Sequence, residues 1–218
     1  MTSPAQAVIA PDKVSVAEFL KQPALNIIVG GNYVFPNRYD PQGKPRTFAC
    51  RTTRVSQFRM MVEVPVTGRV GDRLTSYFPD FGKFDGLITD TKLGSFLLEL
   101  EMTEELRERF RSKLAWLERK QKDPAIRDAR KDARIIPESP HSTLAMADGS
   151  VHGCFIIDMS ISGVAVSAQV QPPIGTPLAV GACVGRVVRH LPGGFAIQFV
   201  QAQNRQDLSR LLVRALRT

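Results

Sequence analysis

Two arginines four positions apart, Arg130 and Arg134, close a basic stretch that reads ARKDAR over residues 129–134. Asp158, Ser160 and Gly163 follow in the run DMSISG, which begins 24 residues after Arg134. Arginine presents a planar fork of donors that suits phosphate oxygens, and its flat face stacks on a purine ring. A carboxylate such as Asp158 accepts from ring N–H groups, and Ser160 adds a small donor and acceptor close to the backbone. Gly163 lets the chain turn tightly or lets backbone N–H groups approach an anion. One charge-assisted hydrogen bond contributes roughly 1.5–3 kcal/mol, so several must converge for micromolar binding. Taken singly, neither element is specific. A basic run before a domain is most often a solvated linker, and Asp, Ser and Gly together are most often a plain turn. Their order, before a strand-rich unit of about 90 residues, makes them a candidate ligand-binding set.

No other constellation stands out. His141, His152 and His190 lack metal-ligand spacing, and no Gly-rich phosphate loop or nucleophile elbow is present. The expectation is therefore a non-enzyme with no cofactor and no metal. GGN at 30–32 and PGG at 192–194 read as turns. The three cysteines, Cys50, Cys154 and Cys183, are odd in number and widely spaced, which suits a reducing compartment better than a disulfide framework. There is no run of 18 apolar residues, and the N-terminus lacks the pattern of a secretory leader. A cytoplasmic protein without a membrane span is expected. The net charge is +8, and residues 104–134 carry 11 Lys/Arg against 7 Asp/Glu, half of that excess. An anionic partner follows, of a class that charge alone does not decide.

The elements that must position these residues come in two similar sets. Residues 1–22 read as a polar tail with a short helix within SVAEFLKQ. From residue 25, short β-rich runs punctuated by Gly, Pro, Asn and Asp continue to residue 101. A helix follows, with Leu106, Phe110, Leu114 and Leu117 on one face, Glu104 and Glu105 in its first turn, and Pro124 as its stop. The second half repeats the order. Its strands end in a helix striped by Leu208, Leu211, Leu212, Ala215 and Leu216, with Asn204 and Asp207 able to cap its start. An offset of 104 pairs Cys50 with Cys154, Ser56 with Ser160, Gly71 with Gly175 and Leu74 with Leu178. An offset of 99 then pairs Gly86 with Gly185, Gly94 with Gly193 and Phe96 with Phe195. This pattern predicts an internal duplication. The fold class is mainly β: two small antiparallel β-barrels, each followed by a C-terminal α-helix. The expected domains are a tail over 1–22, a first barrel and helix over 23–121, a basic linker over 122–134 and a second barrel unit over 135–218.

The Arg-x-x-x-Arg element of Arg130 and Arg134, followed by Asp-x-Ser-x-x-Gly between two strands, resembles the PilZ family of cyclic di-GMP receptors. The likeness covers residues 127–218 well and the first half faintly. It implies a bacterial second-messenger effector of the PilZ-like split-barrel type, binding cyclic di-GMP through Arg130, Arg134, Asp158, Ser160 and Gly163. Guanine suits this set, because the arginine fork matches its O6/N7 edge and Asp158 can accept from its N–H groups. Arg127, Arg186 and Arg189 are additional candidates. The first copy has RVSQFR where the second has DMSISG, so Arg54 replaces Asp158 and Arg59 replaces Gly163. The first barrel is therefore expected not to bind the dinucleotide and to resemble the degenerate barrel that precedes some PilZ domains. Ligand binding at the joint is expected to change the arrangement of the units and so regulate an unknown downstream protein in motility, exopolysaccharide production or attachment. Two rivals stand beside this reading: a protein-interaction barrel pair with a vestigial motif, and a basic nucleic-acid-binding module. Nucleic acid is not expected, because no aromatic is interleaved with residues 119–134.

Overall fold

The computed structural model describes residues 14–40, 42–122, 135, 137 and 139–212. Arg127, Arg130 and Arg134, as well as Pro124, Ala215 and Leu216, lie outside the described residues. After helix α1 (Val16–Phe19) and a two-residue strand β1 (Leu25–Asn26), six strands form the first barrel. These are β2 (Gly30–Tyr39), β3 (Pro45–Val55), β4 (Arg59–Glu63), β5 (Arg73–Phe78), β6 (Gly82–Lys92) and β7 (Ser95–Glu101). They run in the order β3-β2-β5-β6-β7-β4, and β4 pairs back onto β3 to close the ring. Helix α2 (Glu104–Lys122) follows. The second barrel contains β8 (His141–Met146), β9 (Val151–Ser160), β10 (Gly163–Ala168), β11 (Pro177–Val180), β12 (Cys183–Leu191) and β13 (Gly194–Phe199), followed by α3 (Leu208–Leu212). Its closed order is β9-β8-β11-β12-β13-β10.

The duplication read from the sequence is present strand for strand, since replacing β2–β7 by β8–β13 turns one ring order into the other. Even the irregularities correspond. The β3–β4 register slips between Thr52 and Arg54, and the β9–β10 register slips between Ile156 and Asp158. The β6–β7 register slips between Ile88 and Asp90, and the β12–β13 register between Val187 and Arg189. Closing a small barrel requires sharp bends, and an extra residue in one strand supplies them. Gly71 and Gly175 adopt φ of 93° and 91°, and each donates its N–H to a carbonyl of the strand after next, Ile88 on β6 and Val187 on β12. A side chain at either glycine would be strained.

Alternation builds each core. Along β12, Cys183, Gly185 and Val187 face inward, while Val184 and Arg186 face out. Phe96 and Phe195, paired by the offset, are both fully buried at the centres of their barrels. Helix α2 packs Phe110, Leu114 and Leu117 on the first barrel, but Leu106 is exposed, contrary to the sequence expectation. At that turn the barrel offers Phe58, and the guanidinium of Arg107 covers its ring at 4.7 Å. The contact line thus runs through residue 107 instead of 106. In α3, Leu208 and Leu212 are buried, and Asn204 Oδ1 accepts from the N–H of Gln206 ahead of the helix. The short helix expected near the start is α1, with a capping box between Ser15 and Glu18. Its Val16 and Phe19 are buried on Met61 and Leu97 of the first barrel.

The two barrels meet along an apolar seam. Ala49 of β3 packs with Phe155, Ile157 and Ala165 of the second barrel, and Leu191 covers its margin. Glycines permit the approach: a Cβ on Gly30 would lie 2.9 Å from Ile157, and one on Gly193 would lie 2.6 Å from the Ala49 nitrogen. Arg51 is sealed at the same seam, only 1% exposed. Its Nε donates to Glu63 at 2.5 Å, and its Nη2 donates to the carbonyl of Pro137 at 2.9 Å, while the buried Nη1 has no partner among the described residues. A buried arginine held by one carboxylate and one carbonyl leaves both stranded when it is removed. Arg51→Ala should therefore destabilise the protein by about 3 kcal/mol, measured by urea denaturation. An unchanged denaturation midpoint would show that the seam does not depend on this ion pair.

Candidate functional site

The hairpin of β9 and β10 turns through Ile161 and Ser162, with Ser160 opposite Gly163. Ile156 and Met159 both point into the core, so one residue too many lies between them. That surplus is the bulge at Ile157, and it turns both Asp158 and Ser160 to the outer surface. Ser160 Oγ lies 3.2 Å from Ser162 Oγ and 3.4 Å from the Gly163 carbonyl. Gly163 does not have the left-handed conformation of a tight turn. It is required because β13 approaches closely: a Cβ there would lie 2.4 Å from the Ile197 carbonyl oxygen. Ile135 forms an isolated antiparallel bridge with Met159, donating at 2.7 Å and accepting at 3.1 Å.

Strand register carries these residues across the barrel in two rows. Asp158 stands opposite Ala165, Ala165 opposite Ala196, and Ala196 opposite Arg189. Ser160 stands opposite Gly163, Gly163 opposite Gln198, and Gln198 opposite Arg186. All point outward, since their neighbours Met159, Val164, Ile197 and Val187 fill the core. Three strand spacings separate the acidic margin from the arginine margin, roughly 14 Å. Between the margins lie Gly163 and Ala196, which are partly exposed, and Ala165, which is buried against Ala49 of the first barrel. Asp158, Ser160, Gly163, Arg186 and Arg189 therefore share one outer face. Arg186 also donates to the Gly175 carbonyl at 3.2 Å. The small-residue character of Ala165 and Ala196 was missed by sequence reasoning. Its signal was available, because the offsets of 104 and 99 align Ala165 with Met61 and Ala196 with Leu97.

The same two rows exist on the first barrel with opposite content. Arg54 stands opposite Met61, Met61 opposite Leu97, and Leu97 opposite Asp90. The acid and the arginine have exchanged margins, and bulky residues replace the alanines. This face is occupied by α1. Val16 and Phe19 cover Met61 and Leu97, the Val16 N–H donates to Asp90 Oδ2 at 2.7 Å, and Arg54 donates to the Gln22 carbonyl at 2.7 Å. In the second row, Arg59 binds Glu99 at 2.8 and 3.1 Å.

Burial pushes the Cys154 thiol up to about 12 and raises those of Cys50 and Cys183 as well, which keeps them protonated. No group of His, Cys, Asp and Glu that can hold a metal ion occurs among the described residues. His190 is tied to the Pro172 carbonyl at 2.8 Å, and His152 lies against Ser150. No described helix is long and apolar enough to cross a membrane.

Residues 128–216 match the PilZ domain family, so the second barrel is a PilZ domain preceded by a barrel of the same strand order. Among solved structures the chain is similar to Borreliella burgdorferi PlzA in complex with c-di-GMP, at 12% identity over 87% of this chain and 86% of that one, with a TM-score of 0.30. It is also similar to K. pneumonia MrkH in complex with c-di-GMP, at 13% identity, covering 84% and 83%, TM-score 0.26. A third is Escherichia coli YcgR in complex with c-di-GMP, at 10% identity, covering 84% and 80%, TM-score 0.25. No curated protein sequence matches. The close approach at Gly163 predicts that Gly163→Ala costs about 1–3 kcal/mol through displacement of β13. Thermal unfolding of the variant checks this, and an unchanged melting temperature would show that the strands tolerate the methyl group.

Proposed function

We propose, with the PilZ domain as the premise, that this protein is a cyclic di-GMP receptor whose ligand lies on the outer face of the second barrel. The observation that carries this reading is the bridge between Ile135 and Met159. Arg134 is bonded to Ile135, and covalent geometry keeps their Cα atoms about 3.8 Å apart. The basic segment is thereby tethered to the strand position flanked by Asp158 and Ser160. In the proposed complex Arg130 and Arg134 clamp the phosphates and stack on a guanine, Asp158 accepts from guanine N–H groups, and Ser160 supports the same edge. The first barrel does not bind the dinucleotide, because α1 fills its counterpart face. Arg186 and Arg189 form the far margin, and Arg127 adds electrostatic attraction.

Ligand binding also bears on the seam. Ala165, opposite Asp158 in the first row, is buried in the contact with Ala49. Pro137, three residues beyond Arg134, is gripped by Arg51 of the first barrel. Drawing Arg130 and Arg134 onto a dianion pulls on a segment that the first barrel already holds. The units then change their relative arrangement and present a different surface to a downstream protein. We place this activity in bacterial second-messenger signalling in the cytoplasm, without catalysis, and acting on motility, exopolysaccharide production or attachment.

Calorimetric titration of cyclic di-GMP should give saturable binding to the wild type. Arg134→Ala and Asp158→Ala should each weaken it about 10- to 100-fold, the loss of one or two charge-assisted hydrogen bonds. No binding by the wild type would favour a protein-interaction pair with a vestigial motif. Equal affinity for DNA oligonucleotides, with steep salt dependence, would favour a nucleic-acid module. Small-angle scattering should change on saturation with ligand, and an unchanged profile would remove the conformational switch while leaving binding intact.

A further inference from the structure

The second row of the outer face contains a side chain that the ligand motif does not include. Gln198 on β13 stands between Gly163 and Arg186, and its side chain is exposed and makes no hydrogen bond among the described residues. The first barrel shows where side chains at these two positions go. There, Arg59 takes the place of Gly163 and Glu99 takes the place of Gln198, and the two meet over the sheet at 2.8 Å. The two positions thus share one slot on the outer surface, next to a serine in both barrels. In the second barrel the arginine is replaced by glycine, so half of that slot is open and the carboxamide of Gln198 has no partner in it.

The chemistry of the open slot suits a purine edge. Ser160 and Gln198 are two strand spacings apart, roughly 10 Å, with no side chain at Gly163 between them. A purine fits this span with a hydrogen bond at each end. Arg186 is the direct cross-strand neighbour of Gln198 and offers donors only. It favours the Gln198 carbonyl turned toward itself, which leaves the NH2 group facing the slot. A donor there meets O6 and N7 of guanine, both acceptors, whereas the corresponding edge of adenine carries an N6 donor.

We propose that Gln198 is a specificity-determining residue of the second barrel, donating to the guanine O6/N7 edge and disfavouring adenine. This rests on the cyclic di-GMP reading above and adds a base-discriminating group to the same site. The test is calorimetric titration of the full chain, as wild type, Gln198→Met and Gln198→Ala, with cyclic di-GMP and with cyclic di-AMP. The side chain is exposed and unpartnered, so both variants should melt at the wild-type temperature. Both should bind cyclic di-GMP roughly three- to tenfold more weakly, the loss of one neutral hydrogen bond, with cyclic di-AMP binding unchanged or improved. The preference for guanine would narrow accordingly. Unchanged affinity for cyclic di-GMP in both variants, or an equal loss for the two dinucleotides, would overturn the assignment while leaving the receptor reading standing. Absence of cyclic di-GMP binding by the wild type would overturn both.

Discussion

One surplus residue in β9 decides what the second barrel can do. A strand alternates its side chains between two faces, so the inward set of Cys154 and Ile156 would continue at Asp158. The bulge at Ile157 breaks that parity and gives the inward position to Met159 instead. A carboxylate that would otherwise be buried in an apolar core, at a cost of several kcal/mol, stands on the surface. Ser160 follows it outward, and register across four strands then brings Arg186 and Arg189 onto the same face.

Both barrels carry this bulge, yet their outer faces serve different ends. Barrel closure demands the bulges, the left-handed glycines and the close approaches at Gly86 and Gly185, where a Cβ would lie 2.5 Å from a carbonyl oxygen of the facing strand. It demands nothing of outward residues. Those have diverged: Met61 and Leu97 form an apolar seat for Phe19, whereas Ala165 lies against Ala49 of the first barrel and Ala196 stays partly exposed. Arg54 and Asp90 hold the backbone of the N-terminal segment from either side. The first barrel is thus a copy of the second with its face filled by its own chain.

The seam joins the two barrels physically. Arg51, an outward residue of β3, would be solvated on an isolated barrel. Here it is enclosed by Phe155, Glu63 and Pro137, and one of its donors has no partner among the described residues. Such a contact is costly unless its geometry is maintained. Small residues at Gly30, Ala49 and Gly193 bring the backbones of the two barrels close together there.

By itself, the sequence determined the strand-rich class, the duplication and the order of the ligand motif. Glycine spacing and alternation are local consequences of backbone sterics and burial, and they leave a periodic record. It also showed that Arg54 and Arg59 depart from the motif. Tertiary structure decided which residues share a face. Asp158 and Arg189 are 31 positions apart, and only the pairing of four strands puts them in one row. It decided that Gly163 answers to the Ile197 carbonyl and not to a turn, and that Leu106 is exposed while Arg107 covers Phe58. It also decided that Phe19 closes the first barrel's face and that Arg51 is buried at the seam. Each depends on contacts between elements distant in the chain, and local propensity and periodicity carry no information about such contacts.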